Sequence, residues 1–242
     1  MKPYYEDDSV TLYHGDSREG LAAMDDKSVA IVITDPPYSA RTHEGTRSNS
    51  DRAKGHGNRV LSGSFGFDSI TVEDLELALV QMGRVSRGWV VATLDYKHAF
   101  HFDWRPPEGL RMLRVGVWVK PNPMPQISGD RPGQGWEAIA FMHRTDLRPA
   151  WNGGGRSGVW HSATSQNIGH PTAKPLSMIR DWVSLFSNTG DTILDPYAGS
   201  GTTLRAASDL GRKAIGYEID EAYCEVAAKR LSQQVFDLEG IA

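Results

Sequence analysis

Asp35, Pro36, Pro37 and Tyr38 follow the apolar run Val29–Thr34. A short run rich in β-branched residues reads as a buried strand. Two prolines then end the strand and fix a rigid corner. At the carboxyl end of a parallel strand, that corner stands where open α/β proteins place their ligands. An acid, rigid backbone carbonyls and a flat ring suit one kind of ligand, a nucleobase with an exocyclic amino group. The carboxylate and a carbonyl can accept the two N–H bonds, and the Tyr38 ring can stack on the base. The competing reading is a proline-rich turn with an incidental acid.

A second constellation lies far along the chain. Thr192–Asp195 is apolar apart from its ends, and Pro196, Tyr197, Ala198, Gly199, Ser200, Gly201 and Thr202 follow it into a helical stretch from Leu204 to Leu210. Gly199 and Gly201 allow positive φ and close backbone approach to a ligand. Free N–H groups at the helix start favour an anionic or carbonyl-bearing ligand, and Gly211 suits the helix end. Lys213–Glu218 reads as the next strand. Its terminal acid stands 23 residues beyond Asp195, close to the spacing at which a Rossmann-like unit presents a carboxylate to ribose hydroxyls. No Gly-Lys-Ser/Thr follows, so the loop is not of the Walker type. The third glycine of the dinucleotide fingerprint is also missing.

These groups need a frame. Strands are expected at Val10–His14, Val29–Thr34, Trp89–Leu94, Leu113–Lys120 and Trp136–His143, the last two forming a hairpin. Helices are expected at Arg18–Met24, Glu73–Val85, Leu176–Phe186 and Glu221–Gln234. In the second of these, Leu75, Leu79, Met82 and Val85 share a face, and Gly88 is read as its end. Strands alternating with helices imply a parallel-dominated sheet covered on both faces.

The 242 residues suit one α/β domain, and 39% hydrophobic with 23% charged content suits a globular protein. The single cysteine, Cys224, excludes an intrachain disulfide and a cysteine-based metal site, and no metal is expected. The first residues lack a signal-peptide pattern, and no membrane span is expected. A net charge of −4 does not by itself indicate nucleic-acid binding. Its distribution is more telling. Between Ser39 and Ser62, Arg41, Arg47, Arg52, Lys54 and Arg59 stand against Glu44 and Asp51, giving +3. This segment reads as a long basic loop suited to phosphate contacts, or as a merely solvated one. Thr145–Asn167 is rich in Gly, Ser and Asn and reads as a surface loop. Trp151 and Trp160, beside Arg148 and Arg156, could stack on bases or wedge a duplex, or pack the loop onto the core.

Three motifs carry a family resemblance: Asp35-Pro36-Pro37-Tyr38, His170-Pro171-Thr172-Ala173-Lys174-Pro175, and Asp195-Pro196-Tyr197-Ala198-Gly199-Ser200-Gly201-Thr202-Thr203. Gly15-Asp16-Ser17, Trp118-Val119-Lys120-Pro121-Asn122 and Gly216-Tyr217-Glu218-Ile219-Asp220 are weaker matches. In this order they resemble the β group of amino-group (N6-adenine or N4-cytosine) DNA methyltransferases, whose motif order is circularly permuted. Tyr197 stands where Phe is usual, and Ala173 where Gln is common. The resemblance implies an α/β, Rossmann-like S-adenosylmethionine-dependent methyltransferase fold. Its sheet would be mostly parallel, with an antiparallel hairpin at one edge. Residues 1–242 would form one domain, with a basic loop insertion over 39–67 and a short target-recognition loop over 145–169.

The same resemblance implies roles. Asp35 and the Pro36 carbonyl, braced by Pro37, would hold the target amino group, and Tyr38 would stack on a flipped base. S-Adenosyl-L-methionine would be bound by Asp16, Asp35, Asp195, Tyr197, Gly199, Ser200, Gly201, Thr202, Glu218 and Ile219. Within that set Asp16 would reach the adenine amino group and Glu218 the ribose. His170, Thr172 and Lys174 would contact the methionine carboxylate region or brace the catalytic loop. Arg41, Arg47, Arg52, Lys54, Arg59, Lys120 and Arg156 would contact nucleic acid. The implied function is N6-adenine methylation of double-stranded DNA in a bacterial or phage-encoded cytoplasmic enzyme, and homodimerisation is raised too. N4-cytosine, an RNA substrate and a non-catalytic binding module remain alternatives.

Overall fold

The computed structural model describes residues 1–37, 70–123, 125–126, 129–164 and 173–233. In chain order the strands are β1 (Tyr5–Glu6), β2 (Val10–His14), β3 (Val29–Thr34), β4 (Ser86–Leu94), β5 (Leu110–Val119), β6 (Trp136–Arg144), β7 (Val159–His161), β8 (Thr192–Asp195) and β9 (Lys213–Glu218). The helices are α1 (Ser17–Ala23), α2 (Val72–Val85), α3 (Tyr96–Trp104), α4 (Leu176–Phe186), α5 (Thr202–Asp209) and α6 (Glu221–Leu231).

The strands form one sheet in the order β1-β2-β9-β8-β3-β4-β6-β5-β7. From β2 to β4 all neighbours are parallel. Buried on both faces, such strands read as continuous apolar runs rather than alternating ones. β3 illustrates this, with Ala30 its only residue that is not fully buried. The expected hairpin is β5–β6, and β6 also pairs antiparallel with β4. β7 adds a parallel strand outside it.

Helices α4, α5 and α6 cover one face of the sheet through Met178, Trp182, Leu204, Cys224 and Ala227. On the other face α1, α2 and α3 pack through Leu21, Leu75, Leu79, Met82 and Phe102. In α2 the four residues expected to share a face are all buried, and Thr71 caps the helix by accepting from the Asp74 N–H.

The chain leaves β8 through α5 to β9 on one side, and leaves β3 through α2 to β4 on the other. The adjacent strands β8 and β3 therefore diverge at their carboxyl ends. A crevice opens at such a switch point, and ligands bind there in open α/β sheets.

Three expectations are corrected. Gly88 does not end α2: the helix stops at Val85, and Gly88 lies within β4. The turn is made by Ser86, whose Oγ accepts from the Gly88 N–H and donates to the Trp89 carbonyl. The 145–167 segment is not wholly irregular, since it contributes β7. Its tryptophans are also not free to stack on bases. Trp160 is buried between Phe141 and Trp182 and donates to Asp181 at 2.6 Å, while Trp151 lies 5.5 Å from the Phe186 ring. Among the described residues, no helix is long and apolar enough to cross a membrane.

Candidate active site

Asp35 follows β3 directly, so the strand fixes its Cα at the mouth of the crevice. Two groups then fix its carboxylate. The Thr93 hydroxyl near the end of β4 donates to Oδ1, and the Lys174 ammonium donates to Oδ2 at 2.5 Å. Lys174 comes from the segment just before α4 and is buried. Burial alone would lower its pKa, but Asp35 and Glu137 outweigh that and raise it, so it remains an ammonium.

Glu137 of β6 stands 3.4 Å from the Lys174 Nζ and also accepts from Lys120. Beneath both lysines lies the ring of Trp118, the cross-strand partner of Glu137, with the two Nζ atoms 4.8 and 5.8 Å from its centroid. Two carboxylates and two ammoniums thus alternate through a largely buried cluster. Asp35, at 29% side-chain exposure, is more open than Lys174 at 8% or Glu137 at 15%, so it is the most accessible carboxylate of the cluster.

On the neighbouring strand, Asp195 is buried and accepts from the Thr34 hydroxyl at 2.7 Å and the Tyr197 N–H at 3.1 Å. Burial pushes its carboxyl up to about 6, against the lowering effect of hydrogen bonds from Thr203, Thr34 and the Tyr197 amide. The chain then turns through Gly199 and Gly201, both left-handed with φ of 50° and 77°. At Gly201 a side chain would be strained by φ, and its Cβ would fall 3.0 Å from that of Ala227. Arg230 of α6 braces the loop by donating to the Ser200 carbonyl and to the hydroxyls of Ser200 and Thr202.

Glu218, the last residue of β9, accepts the Gly199 N–H at 2.7 Å on Oε2 and the Asp220 N–H at 2.9 Å on Oε1. Burial raises its pKa, and backbone hydrogen bonds from Asp220, Gly199 and Ile219 oppose that. With three of roughly four acceptor positions taken, the carboxylate keeps capacity for a further donor. The start of α5 has no side-chain cap, so none of its first amides is taken by a cap side chain.

The structure therefore brings Asp35, Asp195, the Gly199–Thr202 loop and Glu218 to the carboxyl ends of three adjacent strands. Asp16 stands one strand further, after β2, where it caps α1 and pairs with Arg18. Tyr197 is half-buried, and its hydroxyl bonds to Ser17. Ile219 is 64% exposed just beyond Glu218.

Two cations expected at nucleic acid have acidic neighbours within the protein. Lys120 is held by Glu137 over Trp118. Arg156 pairs with Asp181 at 2.8 Å and lies over the Trp160 ring. Tyr38, Arg41, Arg47, Arg52, Lys54, Arg59, His170 and Thr172 lie outside the described residues. Sequence reasoning missed Thr34, Thr93, Glu137 and Arg230. Only Thr34 carried a signal, because it adjoins Asp35 at a strand end.

A parallel sheet with a glycine loop and an Asp-Pro-Pro corner on adjacent strand ends defines the class: the fold is that of the Rossmann-like methyltransferases. The crystal structure of PvuII DNA methyltransferase (cytosine-N4-specific) is similar, with a TM-score of 0.74 at 16% identity over 99% of this chain and 92% of that one. The M1.HpyAVI–SAM complex gives 0.67 at 24% identity, over 92% and 100%. The chain belongs to the DNA methylase family, whose N6_N4_Mtase profile matches residues 105–229. It is 34% identical to the Type II methyltransferase M.XycI of Xanthomonas campestris pv. cyanopsidis over 93% of this chain and 88% of that protein. It is 27% identical to the Type II methyltransferase M2.DpnII of Streptococcus pneumoniae over 96% and 93%.

Proposed function

We propose that this chain methylates the N6 amino group of adenine in double-stranded DNA, with S-adenosylmethionine as cofactor. The observation that carries the reading is the Asp35 carboxylate, clamped by Thr93 and Lys174 at the end of β3, the strand beside the one that leads into the glycine loop. Membership of the DNA methylase family supports it.

The residues present fit the cofactor. A ribose needs acceptors for its hydroxyls, and the Glu218 carboxylate keeps acceptor capacity beyond its backbone donors. An amino-acid carboxylate suits the amides at the start of α5. Asp16 is the acid for the cofactor's adenine amino group, and Tyr197 and Ile219 contact the cofactor too. When bound, the cofactor supplies an electrophilic methyl group. Asp35 and the Pro36 carbonyl accept hydrogen bonds from the target amino group and so orient its lone pair. That work is positioning and stabilisation of developing positive charge. The amino nitrogen is inaccessible within the base stack, so the base must leave the duplex, and Tyr38 stacks on it. His170 and Thr172, from the same motif as Lys174, support the catalytic corner, and the basic residues between Arg41 and Arg59 contact phosphates.

The exocyclic amine of cytosine would suit the same acceptors, so N4-cytosine is the second reading. Radiolabelled S-adenosylmethionine is incubated with unmethylated plasmid DNA, with RNA in a parallel reaction, and the products are digested to nucleosides. N6-methyladenine in DNA is the expected product. N4-methylcytosine would move the target to cytosine, label in RNA alone would reassign the substrate, and no transfer would reject an enzymatic role.

A further inference from the structure

We infer that Glu137 is a positioning residue for methyl transfer, acting on Asp35 through Lys174; this rests on the reading of Asp35 above. The argument begins with charge. Lys120 and Lys174 both sit over the Trp118 ring, so two like charges crowd one small, largely buried space. Glu137 contacts both, accepting from Lys120 and standing 3.4 Å from Lys174. Asp35 neutralises the second ammonium at 2.5 Å. The cluster is balanced only while all four groups are charged.

Geometry gives the direction of the effect. Glu137 lies on β6 directly opposite Trp118 on β5, so two rigid strands fix it. Lys174, by contrast, extends from the irregular segment before α4. A long flexible side chain leaving such a segment is placed by its partners rather than by its backbone. Without the Glu137 charge, the two ammoniums repel across the ring, and Lys174 loses an anionic neighbour and shifts. Asp35 Oδ2 shifts with it, while Thr93 still holds Oδ1. The consequence is a misaimed acceptor in an intact site. Glu137 need touch neither base nor cofactor to do this.

The test is a double-mutant cycle on the full chain with Glu137→Gln, Lys174→Met and the pair. Measured are kcat at saturating cofactor and DNA, KM for DNA, cofactor affinity by calorimetry, and thermal unfolding. Glu137→Gln is expected to lower kcat about 10- to 100-fold, the scale of a small misplacement. Cofactor affinity should stay within about twofold, and the double variant should match Lys174→Met alone within about twofold. Full kcat in Glu137→Gln, or effects that multiply, overturns the inference. So does a kcat loss matched by lost cofactor affinity. Should Lys174→Met fail to fold, Lys174→Arg takes its place in the cycle, and independent effects there overturn the inference equally. No transfer by the unaltered chain overturns both this inference and the reading it rests on; an active chain with multiplying effects overturns this inference alone.

Discussion

The two halves of the site satisfy their carboxylates in opposite ways. In the β8–β9 half, Glu218 is held by the backbone of Gly199, Ile219 and Asp220, and Asp195 by two threonine hydroxyls and an amide. In the β3–β4–β6 half, Asp35 and Glu137 are held by Lys174 and Lys120. Backbone donors are fixed once the loop has folded, so the first half is preorganised by chain geometry. The second half depends on four side chains remaining charged together. Breaking a fully buried pair by removing one partner costs about 3–5 kcal/mol, because the other charge is left uncompensated. The β3–β4–β6 half should therefore be the more sensitive to single substitutions, and the β8–β9 half the more sensitive to changes in loop shape.

The largest effect is expected from Asp35→Ala. Methyl transfer should fall at least about 100- to 1000-fold, as when one preorganised hydrogen-bonding group is lost from a site. Cofactor affinity should stay within about tenfold, since the carboxylate acts on the base. Loss of cofactor binding, read by calorimetry, would merge the two halves into one functional unit and end the comparison. Because Lys174 keeps Glu137 as a partner, the stability loss should fall below that of a fully broken buried pair.

A smaller effect in the other half is expected from Glu218→Ala. Cofactor binding should weaken by about 1–3 kcal/mol, as the backbone amides and the ligand lose an acceptor. The rate at saturating cofactor should change far less than in Asp35→Ala. Unchanged affinity would remove Glu218 from the cofactor site, and a large rate loss would show that the loop also positions the base.

How much of this was legible in the sequence follows the same division. The β8–β9 half is built from contiguous chain: strand, glycine turn, helix, strand, acid. Its bounds at Lys213–Glu218 could be read directly, as could those of α4 and β3 elsewhere in the sheet. The charge cluster is assembled from residues far apart in sequence, Asp35, Thr93, Lys120, Glu137 and Lys174, and no local pattern links them. The pairing of Lys120 with Glu137 is not visible in sequence, because that partner lies across a strand pair. Helix α3 was missed for a different reason. Aromatic residues and histidines fill it, and these have modest helix propensity. Its one clear signal, Asp95 capping the Lys97 and His98 amides, was overlooked. Arg230 was read only as part of a helix, yet it braces a loop about thirty residues earlier.

The subtlest contrast concerns protons. Asp195 has no cationic partner among its hydrogen bonds to described residues, and burial pushes its carboxyl up to about 6 from an ordinary 3.8. The folded state then holds this proton more tightly than the unfolded chain does. Its contribution to stability is full below about 3.8 and is lost as pH rises through about 6. Glu225, paired with Lys229, has a lowered pKa and the opposite slope. Asp195→Asn removes the titration while keeping a side-chain carbonyl for the Tyr197 amide. The stability of the natural chain relative to this variant should therefore fall between pH 4 and pH 7, by at most about 3 kcal/mol. Urea unfolding at the two pH values measures it. A difference that stays flat would mean that the Thr203 and Thr34 hydroxyls and the Tyr197 amide offset the cost of burial in full. Neutral donors alone would then hold a buried carboxylate ionised.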